Sequence, residues 1–503
     1  MNKKNILLVF TDQQRYDTIE ALGNSVIKTP VLNSLFENGV SFDRAYTPCP
    51  VCIPARFSMH TGQMPHRVNC FYNHKTSNDK ISFMEILKEN GYQTHGVGKM
   101  HFAQEDRPVE TLWGFESRDV SEGQSDINQF KTHIDNNGYS HVCEPLGLKS
   151  DMYYIPQPSQ LPERLHNTTW VADKSIEFLE KRDENRPFML MTSFVKPHPP
   201  FETPTPWNKL YRGPEMTLPK RPDDSENLIT FWNKFQNRYK YRDQGIDDNL
   251  MRQIKAAYYS SISFIDYNLG RLIDYMNQKG LTEDTLIIFT ADHGEMLGDY
   301  NCVGKRNFLD ASARIPMLVS HPDLPKGMRC SKPVNLVDIL PTFLDYADIK
   351  NDEDYSGKSL LKIVNGSIER DITFGQYHKD EYAMYMAVTE NYKYIYSAPD
   401  QKEWFFDLKT DNEETRNKAN NPMYIKEKEN MRNRLMNYFK EDGYTSPFDG
   451  DNWKKNEIKT LPDDPDAYLL FQDAPDSIPK IPGYEREIAG AHMRNGKFFE
   501  PGF

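Results

Sequence analysis

The sequence has no long hydrophobic run, and we therefore expect neither a membrane-spanning segment nor a secretory leader. The apolar stretch Asn5–Phe10 is too short for the hydrophobic region of a secretory leader, and it ends in Thr11 and Asp12 instead of a small-residue cleavage site. No other stretch approaches the length of a transmembrane span. We therefore expect a cytoplasmic protein that makes no membrane contact.

An excess of positive charge is also missing. The 503 residues carry a formal net charge of −12, which disfavours general binding to nucleic acid or to an anionic membrane. The same charge favours a small anionic substrate over a long polyanion. With 38% hydrophobic and 27% charged residues, the composition is typical of a globular protein, and the length suits one large domain and a smaller one.

Cysteine is scarce, and its spacing excludes a disulfide framework. The six cysteines are scattered along the chain, at Cys49, Cys52, Cys70, Cys143, Cys302 and Cys330. In a long cytosolic chain this number predicts free thiols. A clustered zinc site needs a second cysteine pair, which the sequence does not have.

Four apolar segments have the length and flanking residues of buried strands. They are Asn5–Phe10, Tyr92–Val97, Pro187–Phe194 and Thr285–Thr290. Helical patterns lie between them, including one at Ile254–Lys279. Strands that alternate with helices predict an α/β fold, with a large and mostly parallel sheet sandwiched by helices.

Each of the four predicted strands ends in polar residues of a catalytic kind. The endings are Asp12–Arg15, Gly98–His101, Lys196–His198 and Asp292–Gly294. In a parallel sheet the ligand lies outside the carboxyl ends of the strands. We therefore expect these side chains, although far apart in the sequence, to meet in one crevice.

A change of pattern near residue 370 predicts a catalytic domain over residues 1–369 and a smaller C-terminal α+β part over residues 370–503. Short alternating strands lie at Tyr382–Val388, Lys393–Ser397 and Trp404–Leu408, and a helix follows from about residue 422 to 439. We expect a small antiparallel sheet with one packed helix. The aromatic tail after residue 441 favours packing on the body or on another copy of the chain, as in a homo-oligomer.

The segment from Pro50 to Gly62 places a cysteine at the start of a helix. Pro54 suits the first turn of a helix and Gly62 suits its end. Cys52 therefore lies where unpaired backbone N–H groups and the helix dipole favour an anion, and a thiolate is acidified in such a place. Arg56, four residues on, returns to the same helix face with a fixed positive charge.

Two other interpretations of Cys52 stay open on these residues alone. Cys49 and Cys52 have the Cys-x-x-Cys spacing of a redox pair, although the surrounding pattern does not match a thioredoxin-like unit. A buried, inert thiol is the default for a single cysteine.

Residues Cys52–Arg56, with Ser58 and a Thr-Gly pair downstream, resemble the sulfatase signature Cys-x-Pro-Ser/Ala-Arg. The resemblance extends over residues 5–341 and to the C-terminal sheet. It implies the fold of the alkaline phosphatase superfamily, close to its branch of phosphonate monoester hydrolases and choline sulfatases. It also implies that a formylglycine-generating or anaerobic sulfatase-maturating enzyme oxidises Cys52 to formylglycine, whose hydrated aldehyde attacks sulfur.

Asp12 and Asp292 each close a buried strand, and paired carboxylates at one sheet edge need a cation. Taken singly, each could instead cap the helix that follows it. The resemblance implies one divalent metal held by Asp12, Gln13, Cys52, Asp292 and His293. Gln13 stands where the family often has a second Asp, and His293 replaces an Asn. An oxygen-rich ligand set favours Ca²⁺, whereas His293 makes Mn²⁺, Mg²⁺ or Zn²⁺ easier to accept.

Basic residues complete the site that the resemblance implies. Lys99 and His101 follow a strand at a spacing of two, so both point to one side, and they match the family's Gly-Lys-x-His motif. In that motif the Lys binds the substrate oxyanion, and the His is the base that releases sulfate. His198 matches the His that protonates the leaving group, and Lys305 matches the Lys that contacts the same ester oxygen. Arg314 also resembles a family position, but we expect it to be structural.

The sequence thus predicts hydrolysis of a sulfate ester, in a small sulfated carbohydrate or an aryl or alkyl sulfate. The alternative on the same site is hydrolysis of a phosphonate monoester or phosphodiester. Relatives with that activity tend to lack the Lys-x-His pair, so Lys99 with His101 favours sulfate. A third hypothesis is a metal-binding homologue that receives no formylglycine.

Overall fold

An eight-stranded sheet, a four-stranded sheet, two sheets of two strands and a set of connecting helices form the structure, a computed structural model that describes residues 4–73, 80–102, 112–121, 129–149, 153–241 and 245–463. The strands in chain order are β1 (Asn5–Asp12), β2 (Gly39–Tyr46), β3 (Gln93–Gly98), β4 (Ser117–Val120), β5 (Gln157–Pro158), β6 (Phe188–Pro197), β7 (Glu202–Thr203), β8 (Thr285–Ala291), β9 (Met317–Ser320), β10 (Met328–Asn335), β11 (Ile372–Tyr377), β12 (Met384–Thr389), β13 (Tyr392–Ser397), β14 (Lys402–Asp407), β15 (Phe448–Asp449) and β16 (Asn452–Trp453).

The α-helices lie mainly in the connections between these strands. They are α1 (Pro30–Glu37), α2 (Cys52–Thr61), α3 (Phe83–Glu89), α4 (Gln129–Ile134), α5 (Asn167–Lys181), α6 (Ser225–Leu228), α7 (Phe231–Tyr241), α8 (Asp248–Gln278), α9 (Asp310–Ala313), α10 (Ile339–Tyr346), α11 (Leu360–Val364) and α12 (Ile425–Glu441). Within the described residues, none of these helices combines the length and the apolar character needed to cross a bilayer.

The larger sheet has eight strands in the order β10-β2-β9-β8-β1-β6-β3-β4. Strand β1 lies near its centre and pairs in parallel with both β6 and β8. Strand β9 is antiparallel to both of its neighbours, and the other pairings in this sheet are parallel. The prediction of a large, mostly parallel sheet is therefore confirmed.

Strand β1 shows why the sheet is covered by helices on both faces. All eight of its residues are buried, as expected for a continuous apolar run in a parallel sheet. Because side chains alternate along a strand, Leu7 and Val9 join one apolar cluster with residues of α5 and α8. Ile6, Leu8 and Phe10 join a second cluster with residues of α2, α3 and α10. The sheet is thus the middle layer of a three-layer sandwich.

The smaller sheet is an antiparallel meander in the order β11-β12-β13-β14. One face packs against α12, where Tyr385 and Phe405 share an apolar cluster with Leu435 and Phe439. The other face packs against the larger body, where Met386 shares an apolar cluster with residues such as Trp232 and Phe308. Both faces of the smaller sheet are thus covered. The domain boundary near residue 370 stays a proposal.

Several element boundaries differ from the predicted ones for local physical reasons. Helix α8 begins at Asp248 instead of Ile254, because the Asp247 carboxylate caps it and accepts from the backbone N–H groups of Asn249 (2.9 Å) and Leu250 (3.1 Å). Strands β2, β4, β9, β10 and β11 were not among the predicted elements. The tail after residue 441 packs on the body as far as it is described, and the ring of Trp453 stacks on that of Tyr396 with centroids 4.0 Å apart. The tail from residue 464 onward lies outside the described residues.

Candidate active site

Cys52 is the first residue of helix α2, which lies below the carboxyl edge of the larger sheet. The helix ends before Gly62, whose φ of 65° stops it in the left-handed region. All ten residues of α2 are buried. Because the first backbone N–H groups of a helix have no partner inside it, Cys52 lies at the positive end of a helix dipole that is shielded from water.

The thiol of Cys52 is surrounded by cationic and imidazole nitrogens. Lys305 Nζ lies 3.0 Å from its Sγ, and His293 Nε2 lies 3.3 Å from it. Burial alone would raise the pKa of the thiol, but Lys305, Lys99 and His293, with a hydrogen bond from His101, hold it well below its ordinary value. An anion at position 52 is therefore favoured.

Arg56 joins the two carboxylates predicted to bind metal. Its Nε donates to Asp292 Oδ2 at 2.9 Å, and its Nη2 donates to Asp12 Oδ2 at 3.1 Å. A third bond, from Nη1 to the backbone oxygen of Lys99 (2.7 Å), fixes the end of β3. The guanidinium is fully buried, and its planar fork of donors suits this bridging position.

The two carboxylates lie at the ends of the neighbouring strands β1 and β8. Asp12 also accepts from Lys99 Nζ at 2.6 Å. Burial would raise the pKa of Asp12, as would the nearby thiol, but Lys99, His198 and Arg56 hold it well below its usual range. Asp292 Oδ1 accepts from the backbone N–H groups of Gln13 (2.9 Å) and His293 (3.0 Å).

Four of the five predicted metal ligands form a compact donor set. The ligand atoms of Asp12, Cys52, Asp292 and His293 are all buried and lie within 4.8 Å of one another. His293 Nδ1 donates to the backbone oxygen of Gly294 at 3.0 Å, so its Nε2 lone pair is directed at the thiol side. A backbone acceptor of this kind is the usual partner of a metal-ligating His. The chemistry of these donors fits a divalent ion.

Gln13, the fifth predicted ligand, lies at the same place with φ of 66°. Its side-chain oxygen accepts from Lys305 Nζ at 2.8 Å, and Lys305 also contacts the thiol. An amide oxygen is a ligand for hard cations. The Gln13 oxygen thus shares the Lys305 ammonium with the Cys52 thiol, and its role as a metal ligand stays a prediction.

Lys99 and His101 follow a sharp turn at the end of β3. Gly98 has φ of 93°, and a Cβ at this position would lie 1.9 Å from the backbone oxygen of Ser193. Only glycine fits there. The backbone N–H of Lys99 donates to the same oxygen at 3.0 Å, which aims the following residues at Cys52.

His198 reaches the site from the end of β6. Its Nδ1 donates to the backbone oxygen of Pro199 at 2.7 Å, and the Tyr153 hydroxyl lies 3.5 Å from its Nε2. Burial lowers the pKa of His198, as do Lys305 and Lys99, and Asp12 only partly offsets them. A hydrogen bond with Cys52 brings His198 to the same thiol.

The structure thus brings all the predicted site residues together. They are Asp12, Gln13, Cys52, Arg56, Lys99, His101, His198, Asp292, His293 and Lys305. Arg314 instead donates to Asp310 at 3.2 Å and lies over the ring of Tyr16 at 4.1 Å.

Sequence reasoning missed several residues that hold the site. Ser193 Oγ donates to the backbone oxygen of Lys99 at 2.6 Å, and Glu295 accepts from the amide of Gln13. Tyr153 approaches His198 from a loop with no motif. The sequence signal for Glu295 is its position two residues after His293. That position does not reveal whether the carboxylate is buried or exposed.

Two family models match the chain. The Sulfatase model matches residues 4–349, which is more than half of the 503 residues. The chain belongs to the sulfatase family. A second model, N-sulphoglucosamine sulphohydrolase, C-terminal, matches residues 298–441 of this sulfatase and includes the whole of the smaller sheet.

Known relatives of this sulfatase cover most of its length. An arylsulfatase of Clostridium perfringens is 30% identical over 475 residues, and the match covers 88% of this chain and 96% of that protein. A choline-sulfatase of Rhizobium meliloti is 28% identical over 442 residues, and the match covers 84% of this chain and 83% of that protein. The solved phosphonate monoester hydrolase of Agrobacterium radiobacter has a TM-score of 0.76 at 22% identity, over 87% of this chain and 96% of that one, and shows the same fold.

These comparisons confirm the predicted family, the fold of the alkaline phosphatase superfamily and the enzyme class, which is sulfuric ester hydrolase. The role of each site residue stays a prediction.

Proposed function

We propose that the chain hydrolyses a small sulfate ester, of a carbohydrate or of an aryl or alkyl alcohol, with a formylglycine made from Cys52 and a bound divalent metal. The observation that carries the proposal is the set of groups around one buried atom. The Sγ of Cys52 lies 3.0 Å from Lys305 Nζ, 3.3 Å from His293 Nε2 and 3.9 Å from Asp12 Oδ1.

The metal would be held by Asp12, Gln13, Asp292, His293 and residue 52. When bound, it supplies a positive charge that stabilises an oxyanion at residue 52 and on the sulfate group. Two carboxylates and an amide oxygen favour Ca²⁺, and the imidazole keeps Mn²⁺, Mg²⁺ and Zn²⁺ as alternatives. Arg56 bonds both carboxylates, so its role is to fix the ligands and not to contact the substrate.

Formylglycine at position 52 supplies a nucleophile that neither a cysteine nor a serine side chain offers at this helix start. As a hydrate it offers two hydroxyl groups on one carbon, one to attack sulfur and one whose deprotonation lets sulfate leave by C–O cleavage. We assign the oxidation of Cys52 to a formylglycine-generating or anaerobic sulfatase-maturating enzyme. The buried helix N-terminus with Lys305 and Lys99 beside it favours the ionised hydroxyl.

Lys99 and Lys305 would bind the sulfate oxygens. Both ammonium groups are nearly buried, and both face position 52. Fixed charges in a site that excludes water stabilise developing negative charge without reorganisation. Their present partners, Asp12 and Gln13, hold them within reach of that position.

The two histidines divide the proton transfers. His198 donates its Nδ1 proton to Pro199, so Nε2 is the atom that would give a proton to the departing alcohol. Burial lowers the pKa of His198, and an anionic sulfate beside it would favour the protonated form again. His101, hydrogen-bonded to residue 52, would take the proton from the remaining hydroxyl and release sulfate.

Phosphonate monoester or phosphodiester hydrolysis is the second candidate, because relatives with that activity resemble this chain in the Asp12-Gln13 opening and in the Asp292-His293 pair. Lys99 and His101 both lie at the thiol, which favours sulfate. Steady-state rates decide between them, measured on an aryl sulfate, an aryl phosphonate monoester and an aryl phosphodiester with enzyme whose formylglycine is verified by peptide mass. We expect kcat/KM to be at least about tenfold higher for the sulfate, equivalent to about 1.4 kcal/mol.

Higher kcat/KM on the phosphonate monoester or the phosphodiester than on the aryl sulfate would indicate that the substrate is a phosphorus ester and not a sulfate ester. A Cys52 peptide that stays unconverted when the chain is produced together with a maturating enzyme would favour the metal-binding homologue that receives no formylglycine.

A further inference from the structure

Glu295 is a fully buried carboxylate beside the metal donor set, and the proposed mechanism gives it no part. Its Oε1 accepts from the backbone N–H groups of Leu297 (3.1 Å) and Gly304, and its Oε2 accepts from the Tyr154 hydroxyl (2.8 Å) and from Gln13 Nε2. Four donors converge on it, so Glu295 acts as an acceptor at every position.

The side chain of Gln13 lies between this carboxylate and the ammonium of Lys305. Lys305 Nζ is 2.8 Å from the oxygen of the Gln13 amide. An ammonium can only donate hydrogen bonds, and a carboxylate with four donors can only accept them. The chemistry of the two partners therefore assigns the oxygen to the Lys305 side and the nitrogen to the Glu295 side.

A rotated amide would lose both bonds at once. Its NH₂ group would face the ammonium of Lys305, and its oxygen would face the carboxylate of Glu295. Both groups are buried, and buried polar atoms without partners are costly. The amide of Gln13 thus has one stable orientation, with its oxygen on the side of Lys305 and the Cys52 thiol.

We propose that Glu295 is a positioning residue, which locks the Gln13 amide so that its oxygen faces the metal donor set. This inference rests on the proposed divalent metal. The proposed ligand at position 13 is neutral, and the negative charge of Glu295 lies behind it, on the nitrogen side of the Gln13 amide. Glu295 acts through Gln13 and does not touch the donor atoms.

An isosteric exchange between positions 13 and 295 tests this pairing. The four proteins are the parent, Gln13→Glu, Glu295→Gln and the double variant Q13E/E295Q, and the measurement is Mn²⁺ affinity by titration calorimetry. Each single change should weaken Mn²⁺ binding by about 10–100-fold, the usual effect of losing an outer-shell partner. The double variant should bind within about threefold of the parent, because an amide at position 295 again donates to a carboxylate at position 13.

Additive losses in the double variant would overturn the proposal. So would a Glu295→Gln protein that folds and binds Mn²⁺ like the parent. If that single variant does not fold, Gln13→Glu decides alone. In Gln13→Glu, the carboxylate of Glu295 repels the new carboxylate at position 13, so this variant should bind Mn²⁺ more weakly than the parent. Tighter binding, caused by the added ligand charge, would contradict the lock.

Tyr241→Phe is the matched control, because it removes a buried hydroxyl next to Tyr154 (ring centroids 5.7 Å apart) that makes no hydrogen bond to Glu295 or Gln13. We expect its Mn²⁺ affinity to stay within about threefold of the parent, and a larger loss would contradict an effect that runs through Gln13. A parent protein that binds no Mn²⁺, Ca²⁺, Mg²⁺ or Zn²⁺ would refute the metal of the proposed function and the inference with it. A parent that binds one of these ions, together with additive losses in the double variant, would refute the role of Glu295 but not the proposed metal.

Discussion

Buried charges at single residues hold this site together, and each has an identified partner. Arg56 joins Asp12 and Asp292, so one guanidinium satisfies two acids that burial would otherwise destabilise. Removing one member of such a group leaves an uncompensated buried charge. The same holds for Lys196 and Glu202, which lie on either side of His198 and pair at 3.0 Å.

Glu202→Gln should reveal this dependence through pH. Burial would raise the pKa of Glu202, but His166 and Lys196 hold it well below its ordinary value, which is about 4.3. The stabilisation is therefore complete above that value and is lost as the pH falls below it. We expect the variant to lose about 3–5 kcal/mol of unfolding free energy at neutral pH, by chemical denaturation.

The gap between Glu202→Gln and the parent should narrow as the pH is lowered through the ordinary carboxyl range. A gap that stays constant with pH would show that the carboxylate charge does not stabilise the loop around His198.

Sequence motifs identified those site residues that lie a few positions from another site residue at a fixed spacing. Cys52 with Arg56, and Lys99 with His101, are of this kind. Glu295 and Tyr153 reach the site through loops, and the sequence does not encode their partners in a spacing. Their contacts depend on where the chain returns to the site, which only the folded structure shows.

At the scale of elements, the ends of four parallel strands position the chemistry. The long buried runs of β1, β3, β6 and β8 were predictable because apolar strands in the centre of a parallel sheet are continuous. Strand β9 has only four residues, and β10 is interrupted at Pro333, where its register shifts. Neither carries a strong local signal, and the antiparallel direction of β9 is set by the path of the chain.

Gly98→Ala tests whether the turn after β3 aims Lys99 and His101. A Cβ there meets a backbone oxygen at 1.9 Å, so the strand end must move. A displacement of about 1 Å in a positioned group costs about 100-fold in rate, and we expect kcat on an aryl sulfate to fall by at least that factor.

Gly91→Ala is the control for Gly98→Ala. Gly91 also has a left-handed φ, of 88°, but nothing lies within 4 Å of a Cβ there. It should lose about 1–2 kcal/mol of stability and keep its kcat. Equal losses of kcat in the two variants would contradict the role given to the turn.

At the scale of the whole molecule, the smaller sheet is joined to the active-site body through a buried ion cluster. Lys393 Nζ on β13 lies 2.7 Å from Asp310 Oδ1 and 2.6 Å from Glu414 Oε1. Helix α9, which carries Asp310, also holds Gly294 beside the ligand His293, through a bond from the Gly294 N–H to the Ser312 oxygen of 2.7 Å. The sequence predicted this sheet but not its contact with the site.

Lys393→Met should therefore destabilise the protein by about 3–5 kcal/mol, because two buried carboxylates lose their shared cation. Lys409→Met, an exposed position after β14, should change stability by no more than about 0.5 kcal/mol. Denaturant unfolding of both variants checks the difference. Similar stabilities for the two would contradict a structural role for the cluster.

The central claim is that residue 52 is the nucleophile for a sulfate ester. Cys52→Ser tests it most directly, because a serine hydroxyl can attack sulfur and release the alcohol but has no second hydroxyl to expel the sulfate. After incubation with an aryl sulfate, the peptide that contains position 52 should be heavier by one SO₃ group, and turnover should stop. An unmodified peptide, or a variant that turns over readily, would contradict the account.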